Sequence, residues 1–157
     1  MSRWPVGVDV IQRMLDLIPP HLQKVHPDRE HADMLIEQAR AHLTSSSVLA
    51  ESDPEGAYAL LYDAARKALT AILENQGLRP TSKGGHLAVY EATMAQLENV
   101  LRKTLRPFDR MRRRRQDAEY PATDAEPFTS DDVAEDLPKA TEIVEAAAKL
   151  LDQMSPF

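Results

Sequence analysis

The 157-residue sequence has no cysteine, only five glycines and only eight aromatic residues: one Trp, three Phe and four Tyr. Without cysteine there is no disulfide framework, no thiolate metal ligand and no cysteine nucleophile. Scarce glycine and aromatics, beside abundant Ala, Leu and Glu, argue against a β-sandwich or barrel and for helices. No apolar run approaches the roughly 20 residues that span a bilayer. Met1 to Pro5 leads into no apolar signal segment. What is present suffices for a core, since 43% of the residues are hydrophobic and 28% charged. The expectation is one soluble, cytoplasmic, all-α domain.

The net charge of −6 is a mean over unlike parts. Residues 102–115 hold eight Lys or Arg and one acid, Asp109, a local +7. Residues 116–157 hold eleven acids and two Lys, a local −9. One dense basic block followed by an acidic segment implies either internal pairing or a polyanionic partner.

Periodicity and punctuation divide the chain into helices. Val8, Ile11, Met14, Leu15 and Ile18 outline a short amphipathic helix that Pro19-Pro20 stops. A helix over 29–49 follows, with Asp28 as a possible cap and Met34, Leu35, Gln38, His42 and Leu43 on its expected inner side. Ser52-Asp53-Pro54-Glu55 starts a helix over 54–76. Its broad apolar arc of Tyr58, Leu61, Ala65, Ala68 and Ile72 marks the central helix of a bundle, and Gly77 ends it. Residues 78–85 read as a loop. A helix over 86–105 carries Leu87, Tyr90, Met94, Leu97 and Leu101 as its expected stripe. A basic helix starts at Pro107 and runs to about Tyr120, and Ser130-Asp131-Asp132 caps a last helix over about 131–153. The expected fold is an up-and-down bundle of four or five helices over 30–153. A short helical extension (1–29) precedes it and a tail (154–157) follows.

Few residues suggest chemistry. The five histidines form no His-Glu-x-x-His or Glu-x-x-His unit, so neither a zinc nor a di-iron site is expected. His21, His26 and His31 read as exposed or capping, and His86 reads as a helix-capping histidine. Thr81-Ser82-Lys83-Gly84-Gly85 lacks the P-loop spacing and reads as an interhelical turn. No cofactor is expected. The basic helix is the exception. Phe108, Met111, Arg115 and Ala118 share one helical stripe, so Arg115 faces inward and needs a partner. Glu119 lies one turn on and can reach it. Tyr120 ends the same helix. Arg110, Arg112, Arg113 and Arg114 fan around the rest and could hold RNA phosphates.

Four features together resemble the HEPN superfamily. They are AYALLYDAARKAL at 57–69, Gly77, Gly85-His86, and Arg114-Arg115-Gln116-Asp117-Ala118-Glu119-Tyr120-Pro121. The similarity spans about residues 30–153. Many members carry an Arg…His motif late in the bundle, and a sister branch carries Arg-x-x-Ala-Asp-Tyr. Arg115 to Tyr120 looks like the second form, with Glu for Asp. The resemblance implies a homodimer whose late helices face each other across a cleft. It also implies a metal-independent endoribonuclease, toxin-like or in RNA processing, with Arg115, Glu119 and Tyr120 at the site. Tyr120 stands where nuclease members have His, and a phenol with a pKa near 10 is a poor base. The alternative is therefore a non-catalytic interaction module. Some members pair with a nucleotidyltransferase as partner, in toxin–antitoxin style.

Overall fold

The computed structural model describes residues 5–157. Six helices lie among them: α1 (Val8–Asp16), α2 (Arg29–Leu49), α3 (Pro54–Gln76), α4 (Gly85–Leu105), α5 (Pro107–Glu119) and α6 (Ser130–Leu150). Two three-residue strands, β1 (Leu22–Lys24) and β2 (Leu78–Pro80), pair antiparallel with Gln23 opposite Arg79. Both strands fall where the sequence reads as connector and loop. Three residues are too short for an alternating pattern, so only the pairing partner defines them.

Local chemistry sets the helix ends. Asp28 caps α2 by accepting from the His31 amide at 2.9 Å, and Asp53 caps α3 by accepting from the Gly56 amide at 3.0 Å. Pro54 occupies the first turn of α3, where its missing N–H costs nothing. Gly77 ends α3 with φ 83°, and a Cβ there would stand 2.7 Å from the Val25 carbonyl oxygen. Glycine is thus required by both backbone and space. Thr129, one residue before the expected cap, forms a capping box with Asp132 at the start of α6.

The central helix is α3, which packs against α2, α4, α5 and α6. Tyr58, Leu61, Ala65, Ala68 and Ile72 are all buried, as their arc implies. Two expected stripes need correction. On α2 the buried residues are Ala32, Ile36, Ala39, Leu43 and Ser46, whereas Met34 is exposed. On α4 they include Ala88, Val89, Ala92, Thr93, Gln96 and Leu97, whereas Leu87 is exposed. The physical reason is close packing of small side chains, which lets backbones approach α3 and leaves larger residues at the rim. The Ser46 hydroxyl, for example, donates to the Ala57 carbonyl at 2.7 Å. Gln76 and Gln96 satisfy each other's buried amides through two hydrogen bonds, at 2.6 and 3.0 Å.

The N-terminal segment contributes to the same core. Ile11, Met14 and Leu22 are buried in one cluster with the helices, and α1 packs on α4. At the other end, Met154 is buried and the Phe157 amide donates to the Gln76 carbonyl at 2.9 Å. No described helix is long and apolar enough to cross a membrane.

Candidate functional site

Helix α5 is built as a stripe with one polar interruption. Phe108 and Met111 are fully buried and Ala118 nearly so, and between them Arg115 keeps only 24% of its side chain exposed. The guanidinium lies against α3, with Cζ 5.5 Å from the centre of the Tyr62 ring. One Nη forms an ion pair with Glu119 at 2.9 Å, which the four-residue spacing allows. Its Nε is buried with no hydrogen-bond partner. An unsatisfied buried donor is costly, and the Arg66 Nε shares that state.

Arg115 opens onto a cavity of about 250 Å³ lined by Gly84, His86, Leu87, Arg112, Arg115 and Gln116. Arg112 is held by Asp109, whose carboxylate accepts from Nε at 3.0 Å and lies 2.9 Å from Nη2 as an ion pair. His86 stands on the first turn of α4. Its ring does not cap that helix, which corrects the sequence reading: Nδ1 meets the Tyr62 hydroxyl at 3.0 Å. Tyr62 is fully buried between His86 and Phe108, with ring centres 5.6 and 5.3 Å away. Its hydroxyl needs a polar partner, and His86 supplies one.

The electrostatics follow from this crowding. Burial lowers the His86 pKa below the ordinary histidine value, and Arg66, Arg115 and Arg112 lower it further against the opposing pull of Asp63. Burial pushes the Tyr62 phenol above its ordinary value, so it stays protonated. Around neutral pH the cavity therefore joins a neutral imidazole to two guanidinium groups.

The other residues singled out in the sequence are scattered. Tyr120 is 79% exposed and lines a different cavity with Arg114, Asp117, Pro121 and Phe128. The inward Arg–Glu–Tyr group expected at the end of α5 thus assembles only as Arg115 with Glu119. Arg110 pairs with Asp136 of α6. Arg114 donates to Asp132 of α6 at 2.9 Å, and its Cζ lies 4.4 Å from the Phe128 ring centre. Arg113 is well exposed and reaches Asp109 at 3.4 Å. Arg110 and Arg113 also line a cleft of about 800 Å³, beside Tyr90, Lys103, Arg106 and Lys139. Among the described residues, no three His, Asp or Glu side chains gather as metal ligands would.

His86 lines the candidate site and Tyr62 adjoins it through His86, and neither stands among the site residues expected from the sequence. One signal was available, since a tyrosine on the inward arc of a helix must find a polar partner. No signal named that partner, because residues 62 and 86 lie on different helices.

No curated protein and no solved structure matches the chain. A family model, that of the HEPN domain, matches residues 32–151. The match covers more than half of the sequence, from the first turn of α2 to the end of α6, and contains every residue lining the Arg115 cavity. By that match the chain belongs to the HEPN family.

Proposed function

We propose that this HEPN protein acts on RNA as a metal-independent endoribonuclease, toxin-like or in RNA processing, with the scissile phosphate held at the Arg112–Arg115 cavity. Membership in the family points in general to ribonuclease or nucleotide-related function. The observation that carries the finer reading is Arg115, which turns inward on α5 and yet lines an open cavity together with Arg112. A planar guanidinium suits a phosphate through two parallel N–H···O bonds. Glu119 pairs with one Nη of the fork, and Arg112 adds a second positive charge on the same cavity. Two guanidinium groups can offset the charge that grows on phosphoryl oxygens during attack by the 2′-hydroxyl. Exposed Arg113 would draw the flanking phosphates, while Arg110 and Arg114 chiefly bind α5 to α6.

HEPN domains commonly dimerise. In a homodimer the two α5 helices would face each other and double the cationic surface. A nucleotidyltransferase-type partner belongs to the same proposal.

A second reading, a non-catalytic RNA- or protein-binding module, is favoured by one observation. Tyr120, in place of the family's motif His, is exposed and away from the Arg115 cavity. Purified protein incubated with single-stranded RNA in EDTA separates the two. Cleavage that Arg115→Ala abolishes, with the fold intact, supports the ribonuclease. RNA retention without cleavage supports the module.

A further inference from the structure

We infer that His86, carried by α4 and not by the Arg-to-Tyr segment of α5, is the residue that accepts the proton of the RNA 2′-hydroxyl, and that Tyr62 is its positioning residue. This rests on the reading that RNA is bound and cleaved at the Arg112–Arg115 cavity.

The inference follows from what surrounds that cavity. A proton acceptor must stand within reach of the group the arginines hold. Of the six residues that line the cavity, only His86 can change protonation near neutral pH. The nearby carboxylates are committed, Glu119 to Arg115, Asp109 to Arg112 and Arg113, and Asp63 to Arg66. Tyr120 lines another cavity.

The environment of His86 suits a base. From α3 it faces Tyr62, Asp63 and Arg66, and from α5 it faces Arg112 and Arg115. Three cations against one acid, together with burial, keep the ring uncharged until it takes a proton. Nδ1 is engaged by the Tyr62 hydroxyl, which leaves Nε2 as the ring nitrogen for the cavity. When Nδ1–H donates to the Tyr62 oxygen, Nε2 carries the lone pair. The imidazolium formed later keeps the same bond. Tyr62 is itself fixed by its packing on Phe108, so it holds one ring orientation.

The step balances without a metal or an oxidant. Nε2 takes the proton of the 2′-hydroxyl as that oxygen bonds to the adjacent phosphorus. The bond from phosphorus to the 5′ oxygen breaks. Water protonates the departing 5′ oxygen, and the hydroxide left behind takes the proton back from His86. The products are a 2′,3′-cyclic phosphate and a 5′-hydroxyl end.

The test uses the full chain with single-stranded RNA in EDTA across a pH series. Binding is measured in parallel on the same sequence with 2′-O-methyl riboses, which cannot react. The expected result for His86→Gln is a loss of cleavage by about 10²- to 10⁴-fold, with affinity for the methylated RNA kept. Added imidazole should restore part of the activity of His86→Ala, which guards against a merely structural effect. Tyr62→Phe should lower kcat more than it changes KM. It should also move the acidic limb of the profile to lower pH, because the imidazolium loses an acceptor. Cleavage by His86→Gln at the wild-type rate overturns the assignment of His86 and leaves the ribonuclease reading intact. An unmoved pH profile in Tyr62→Phe overturns the positioning role. Wild-type protein that binds RNA without cutting it overturns the ribonuclease reading and the assignment together.

Discussion

Arg110 of α5 closes an ion pair on Asp136 of α6, and the other carboxylate oxygen of Asp136 accepts the Tyr58 hydroxyl of α3 at 2.7 Å. One buried acid therefore ties three helices together. The Tyr58 phenol, fully buried and bonded to that carboxylate, is held well above its ordinary pKa. This relationship marks Arg110 as an arginine that holds the bundle, whereas Arg115 makes its ion pair within α5.

Asp136→Ala should destabilise the fold. Arg110 keeps about half of its side chain in solvent and can be rehydrated, but Tyr58 would lose its partner in the dry core. The expected cost is about 1–3 kcal/mol, read as a lower urea midpoint with an unchanged slope. An unchanged midpoint would mean that α5 and α6 do not depend on this contact.

Arg114→Ala and Arg115→Ala should part company. Arg114 is bound to Asp132 and stacked on Phe128, so its loss should cost about 1 kcal/mol of stability and little RNA affinity. Arg115→Ala should weaken binding of non-cleavable RNA and lower the salt slope of the binding constant by about one. Thermal melts and anisotropy titrations over a salt series check both. Equal effects of the two variants on RNA affinity would contradict the division.

Stability should fall on mild acidification. The pKa values of His42 and His86 are both lowered in the fold, by burial first and by neighbouring cations second. The unfolded chain therefore takes up protons that the folded chain resists, and stability rises with pH over that interval. Their contribution is complete above the unfolded value of about 6.5 and declines as pH falls below it. Asp132 and Glu145, whose pKa values are lowered, add losses only at still more acidic pH. Urea midpoints between pH 8 and pH 5 should fall in the wild type and fall less in a His42→Gln/His86→Gln double variant, about these pH limits being set by the histidine range. A steeper fall in the double variant would reverse the sign.

Ile11→Ala should destabilise the whole bundle by about 2–5 kcal/mol. Ile11 is fully buried among residues of the helices although it precedes the family match. A single cooperative melt at lower temperature is expected. An unchanged melt would mean that α1 opens independently of the bundle.

The helices were legible in the sequence because their signals are local. Asp28, Asp53, Pro54 and Gly77 act through groups a few residues away, so α2 and α3 can be bounded without knowing the fold. The inward turn of Arg115 was legible for the same reason, since spacing along one helix places it between Met111 and Ala118. The 3.6-residue period alone determined that much. The tertiary structure decided which alanines face α3, where β1 finds β2, and which partner each arginine takes. It also sent Tyr120 into a different cavity and brought His86 onto Tyr62. Each of these depends on groups far apart in the chain, whose meeting is fixed by packing and not by spacing. The candidate site is such a meeting: one helix carries the arginines, a second the histidine, and a third the tyrosine that bonds it.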